Sequence, residues 1–193
     1  MNPPNPPNTV PEYLDLPPDA PGWPKVVGIF SIVFGSLGLM CNGCGGAMLF
    51  AMPALLKLSE EQLGPAPDVF KPPVAQLAMV PVGFILAIVL LVAGIMLIRR
   101  KPVARVMHLV YAVVNILLTS AGVAVGLMQL EKLAAWKAAN EGDQWAAQIN
   151  MPQQYFTLAF ATVIGIAYPL FLLIWFGMVK RKASDMGKLP EYL

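Results

Sequence analysis

The chain has 193 residues, 57% of them hydrophobic and 12% charged, with a mean hydropathy of +0.64. Soluble domains carry about 25% charged residues, so this composition excludes an ordinary soluble fold. A net charge of +2 is too small to argue for a nucleic-acid partner.

Residues 1–24 hold nine of the 19 prolines. A run such as Pro-Pro-Asn-Pro-Pro-Asn cannot form a helix or a sheet, and it has too little apolar surface to bury a core. It is expected to be a disordered, extended cytoplasmic tail, serving as a spacer. Trp23-Pro24-Lys25 then marks a membrane entry. Trp suits headgroup depth, Pro the first helical turn and Lys the polar side.

Four stretches contain no Asp, Glu, Lys or Arg: Lys25 to Lys57, Lys71 to Arg99, Arg105 to Glu131 and Asp143 to Lys180. Each exceeds the roughly 20 residues a helix needs to cross a bilayer. The predicted fold is all-α, a polytopic membrane protein of four transmembrane helices arranged as two hairpins in a bundle. Span one covers about 26–51 and ends at Met52-Pro53. A short amphipathic helix with Gly64 as its stop follows in the first loop. Span two covers about 75–98, with Pro81 near its start. The basic turn Arg99-Arg100-Lys101-Pro102 leads to span three, about 103–130, whose helix is expected to continue past the membrane until Gly142. A second short amphipathic piece precedes Pro152. Span four covers about 154–179, and residues 183–193 form a polar cytoplasmic tail after a transmembrane domain of residues 25–182.

Lys25, Arg99, Arg100, Lys101, Arg105, Lys180, Arg181, Lys182 and Lys188 fall on one side of this layout. Only Lys57, Lys71, Lys132 and Lys137 fall on the other. The richer side is expected to be cytoplasmic, which puts both termini and the 99–105 turn on the cytoplasmic side of the cell membrane. The segment Pro-Glu-Tyr-Leu occurs at residues 11–14 and again at 190–193, a recurrence expected by chance in a proline-rich chain.

Span one carries a stripe of small and polar residues at steps of three and four: Gly28, Ser31, Gly35, Gly38, Asn42 and Gly45. Span three carries a bulkier one: His108, Tyr111, Asn115, Thr119, Gly122 and Gly126. At 3.6 residues per turn each set lies on one helix face. Small residues allow close approach of helices in lipid, and polar ones bond across. The expectation is that spans one and three pack together through these stripes, with spans two and four outside. Asn115, near the centre of span three, is expected to bond another helix. His108 is read as a hydrogen-bonding residue near the interface.

Cys41 and Cys44 are the pair with potential for chemistry, since i and i+3 share a helix face. They lie at the C-terminal end of span one, whereas reactive Cys-x-x-Cys pairs favour helix N-termini. Packing is the favoured reading. A redox pair facing an oxidising exterior is the alternative, and half of a metal site in a dimer comes third. No cofactor and no metal is expected. No acidic or basic side chain lies inside a span, as ion-coupled transport usually needs. The sequence also holds no HExxH, P-loop or GxSxG motif.

The proline-rich tail, Trp-Pro-Lys entry, glycine-rich first span and Arg-Arg-Lys turn together resemble small uncharacterised four-span membrane proteins of bacteria. The layout is similar, more distantly, to tetraspan proteins of animals. Neither resemblance implies a reaction. The reading is an integral membrane protein that is not an enzyme. Its role is structural or accessory, within the lipid bilayer, as a homo-oligomer or with another membrane protein. A small oligomeric channel or carrier is the alternative, in which Asn115→Leu would reduce flux.

Overall fold

A computed structural model describes residues 22–178. The N-terminal tail, the Lys180–Lys182 cluster and the C-terminal tail, with both Pro-Glu-Tyr-Leu segments, lie outside the described residues. Helix α1 spans Trp23–Leu63, α2 Val74–Ile98, α3 Val103–Ala139, α4 Gln144–Gln148 and α5 Met151–Leu173. A 3-10 turn at Asp68–Phe70 sits between α1 and α2, and a π-turn at Ile174–Met178 closes α5. No strand forms among the described residues. Four helices are long and apolar enough to cross a membrane.

The ends of these helices follow local chemistry. Pro24 sits in the first turn of α1, where its missing N–H costs nothing. Gly64 stops α1 at φ +79°, a backbone conformation that glycine adopts without strain, and its N–H donates to Glu60 O at 3.0 Å. The basic turn ends α2 with Arg100 in the same left-handed region, at φ +55°. There Arg100 N–H donates to Leu97 O and Lys101 N–H to Met96 O, the paired bonds of a Schellman cap. Asp143 caps α4 by accepting from Trp145 N–H, and Asn150 caps α5 by accepting from Gln153 N–H.

Span one does not end at Met52-Pro53. The first-loop helix expected as a separate element is instead the last stretch of α1, which runs through Pro53. Proline removes one ladder bond, but the flanking residues are strong helix formers and carry the helix on to Gly64. At 1.5 Å per residue, 41 residues reach about 60 Å, twice the hydrocarbon thickness. Helix α3 likewise outruns the bilayer. Helices α2 and α5 continue through Pro81 and Pro169.

The packing runs α1 on α2, α2 on α3 and α3 on α5. The expected union of spans one and three through their stripes is therefore corrected. The small residues of α1 meet α2. A Cβ on Gly28 would lie 2.9 Å from Gly94 O, and one on Gly35 would lie 2.9 Å from Leu91 N. A Cβ on Gly38 would lie 3.2 Å from the Ala87 Cβ, and one on Gly94 would lie 2.8 Å from Gly28 O. Spans one and two each carry small residues on the facing side, so their backbones close on each other; span three presents bulk there instead.

The buried cluster comprises Val27, Leu86, Leu90, Leu97, Ala104, Tyr111, Ala112, Tyr168, Leu172 and Phe176. Apart from Leu86 at the middle of α2, they lie toward the end that holds the Arg99–Lys101 turn, called here the basic end. There Trp23 meets Trp175 and Phe176 edge-on at centroid distances of 6.2 and 6.0 Å. Arg105 donates from Nη2 to Phe176 O at 2.8 Å, tying α3 to the π-turn.

At the opposite, loop end, the connections dock on the extension of α3. Gln129 donates to Val69 O, Lys137 donates to Ile149 O, and Phe70 packs between Trp136 and Trp145. The Lys71 ammonium, 2.6 Å from Asp68, holds that carboxyl below its usual range. Both groups are exposed, so the pair adds little to stability.

Candidate functional site

Two features adjoin each other inside the bundle. The first is a buried hydrogen-bond network centred on Ser31. Its Oγ lies 2.8 Å from His108 Nε2, 2.7 Å from the Tyr168 hydroxyl and 2.9 Å from Val27 O. His108 Nδ1 lies 2.7 Å from Ala104 O. A carbonyl can only accept, so Nδ1 carries a proton. In the neutral ring Nε2 can then only accept, so the single Ser31 proton is shared between Nε2 and Val27 O, while Tyr168 donates to Ser31. Each polar atom of the trio has a partner at hydrogen-bond distance, as burial at hydrocarbon depth requires. Ser31 and His108 are both 0% exposed. The network joins α1, α3 and α5.

Ser31 and His108 have the separation of a nucleophile and its base. The arrangement nevertheless closes the hydroxyl off. Tyr168 occupies a lone pair of Oγ, Phe34 stacks on Tyr168 at 4.3 Å, and the Phe176 ring lies 5.1 Å from the imidazole. A substrate has no approach to Oγ in this state. The chemistry of the trio is that of a polar clamp.

The second feature is a cavity of about 1000 Å³ framed by α1, α2, α3 and α5, on the loop-end side of the clamp. Phe34, Tyr111 and Tyr168 line it next to the clamp, Leu90 and Ile164 line its walls, and Gln76 lies toward the loop end. It exists because α1 and α5 meet at the basic end, through Ser31, Phe34 and Trp23, and share no comparable contact beyond it. Bulky core residues fill the basic half. In the loop half, α1 lines the cavity with Gly38, Gly45 and Gly46 beside the larger Leu37, Asn42 and Met48.

The predicted site residues separate accordingly. Gly28, Gly35 and Gly38 serve the α1–α2 contact. Asn42 donates to Gly38 O within its own helix and packs against Gly83, while Gly45 lies at the cavity with open space around it. Ser31 and His108 enter the clamp. Tyr111, Asn115 and Thr119 line the cavity from α3. Asn115 donates from Nδ2 to Gly165 O on α5 at 3.0 Å, and Thr119 packs on Gly165. A Cβ on Gly126 would meet Leu158 of α5 at 2.9 Å, whereas Gly122 has only Met79 Sδ at 4.0 Å. The stripe of α3 thus faces α5 and the cavity.

Sequence reasoning missed Tyr168 and the small face of α2. Gly83, Ala87 and Gly94 recur at steps of four and seven and would have identified that face. Among the described residues, no group of three or more His, Cys, Asp or Glu is placed to hold a metal.

Cys41 and Cys44 are free and exposed, and Cys41 lines the cavity. Acid-trapped protein, alkylated in denaturant, is expected to gain two labels whether or not reductant is added. A reductant-dependent gain would return the redox reading.

Comparison with known protein families, curated proteins and solved structures finds no match to this chain.

Proposed function

We propose that this chain is a non-enzymatic, multi-pass protein of the cell membrane that holds a guest molecule between its helices, as a small carrier or as an accessory component. The observation that carries this reading is the cavity. It reaches the upper end of the roughly 300–1,000 Å³ typical of small-molecule sites, it is walled by all four long helices, and apolar side chains dominate its lining. The clamp supports the same reading. A satisfied polar trio ties three helices together at one end and lets the other end stand apart, which is the construction of a holder.

In this reading the basic end faces the cytoplasm, following the positive-inside rule for Lys25, Arg99, Arg100, Lys101 and Arg105. The test is native mass spectrometry of the tagged full chain released from membrane nanodiscs. A non-protein mass retained in stoichiometric amount is the expected result. A chain released bare in every charge state contradicts it.

One observation favours a second reading, assembly with a second copy or another membrane protein. The part of α1 beyond the bilayer exposes Leu55 and Leu58 beside Lys57, Glu60 and Glu61. An amphipathic helix without a covering partner suits a protein contact. In the same spectra a retained polypeptide would select that reading.

A further inference from the structure

We infer that the guest is a single uncharged amphiphile bearing a hydroxyl or carbonyl group, drawn from the bilayer and held by Tyr111, Asn115 and Thr119; this rests on the holder reading above. Tyr111 carries most of the argument. Its side chain lines the cavity, it is 8% exposed, and its hydroxyl has no hydrogen-bond partner among the described residues. The Tyr111 hydroxyl is not enclosed in packed protein but opens onto the cavity, where a bound molecule can supply the partner that the described residues do not.

The neighbours on α3 repeat the pattern. Asn115 donates one N–H to Gly165 O, and its carbonyl oxygen accepts no hydrogen bond among the described residues. Thr119 makes no hydrogen bond among the described residues, although Thr157 and Thr162 of α5 both bond their own helix. At steps of four, the three side chains form a ladder of donors and acceptors along one cavity wall.

The remaining lining defines the guest. No Asp, Glu, Lys, Arg or His lines the cavity. Tyr111 lies about 12 Å along α3 from its start at the basic end, and Thr119 about 24 Å. A charged headgroup drawn to that depth would lose its hydration against side chains that offer no counter-charge. A phospholipid or an ionised fatty acid is therefore disfavoured, whereas an alcohol or a ketone can bond the ladder and lay its apolar part on Leu90 and Ile164. The route in is lateral, between α1 and α5 where their contacts cease beyond Phe34 and Tyr168.

The experiment uses the full chain in nanodiscs of phosphatidylglycerol and phosphatidylethanolamine. Three diazirine probes of matched length are photolysed separately: a long-chain alcohol, the fatty acid and the alkane. Adducts are mapped by peptide mass. The alcohol is expected to label the Phe34–Met48 stretch saturably, at least about fivefold above the other two. Tyr111→Phe is expected to lower that labelling about fivefold, the worth of one hydrogen bond, with the thermal melt unchanged. Thr119→Val, which keeps shape, is expected to lower it as well. Equal labelling by alcohol and alkane, or indifference to both variants, overturns the inference while leaving a lipid-accessible cleft. Absence of cleft adducts from all three probes overturns the holder reading itself.

Discussion

Gly28→Leu is expected to cost about 3 kcal/mol or more of bundle stability, the upper range for overpacking, and to separate α1 from α2. A Cβ there would sit 2.6 Å from Ile98 Cγ1 and 2.9 Å from Gly94 O. The carbonyl belongs to backbone and cannot move aside as a side-chain tip can. Gly94→Leu attacks the same contact from the other helix, where a Cβ would meet Gly28 O at 2.8 Å and Ser31 Cβ at 2.9 Å. Even Gly35→Ala should be felt, because Leu91 N lies 2.9 Å from its Cβ. Gly43→Leu and Gly45→Leu are the controls, since nothing lies within 4 Å of a Cβ at either position. Unfolding by SDS in mixed micelles, followed by circular dichroism, reads the difference. Equal behaviour of Gly28→Leu and Gly45→Leu would remove the α1–α2 contact from the account.

The second large effect belongs to the clamp. Ser31→Ala removes the one atom shared by His108 and Tyr168, and both partners stay buried without it. Leaving buried polar groups unpaired costs about 1–3 kcal/mol, and interhelical bonds in lipid have tended to the lower part of that range. The expected loss is about 2 kcal/mol. Tyr168→Phe alone should cost less, because Ser31 can still donate to His108 and His108 to Ala104 O. The double variant should lose clearly less than the two single losses added, since after Ser31→Ala the Tyr168 hydroxyl has no partner to give up. Strict additivity in the same SDS titration would show that the 2.7 Å contact contributes nothing.

The fold and the site differ in how far sequence reaches them. Charge-free runs bounded by Lys and Arg mark the four spans directly, because burying ionised groups in hydrocarbon is costly. The extension of α3 and the small α4 follow from helix formers up to Ala139 and from Asp143 as a cap. Pro53 misleads, because its local cost is offset by the helix on either side of it. Pairing of the spans is the harder question. A stripe of small residues says that a helix can approach closely and leaves open which helix does. Gly28 and Gly35 find α2 because Gly94 and Ala87 stand opposite them, a match that requires reading two helices jointly. The clamp is more remote still, since Ser31, His108 and Tyr168 come from three helices separated by 77 and 137 positions. Tyr168 lies beside Pro169 in an aromatic-rich span, and nothing local distinguishes it from Phe171 or Tyr155. The cavity is legible only as a consequence of packing. It is the space left where α1 and α5 part beyond Phe34 and Tyr168.

Cysteine cross-linking in native membranes tests this arrangement most directly, in a chain whose Cys41 and Cys44 are replaced by alanine. Gly38→Cys with Ala87→Cys joins α1 to α2, where the two Cβ positions lie 3.2 Å apart, close to disulfide spacing. Asn42→Cys with Gly122→Cys joins the two stripes instead. Rapid disulfide formation is expected for the first pair and none for the second, because the cavity lies between α1 and α3 at that level. Formation of the 42–122 disulfide with failure of the 38–87 pair would mean that spans one and three pack together, and that the cleft does not exist.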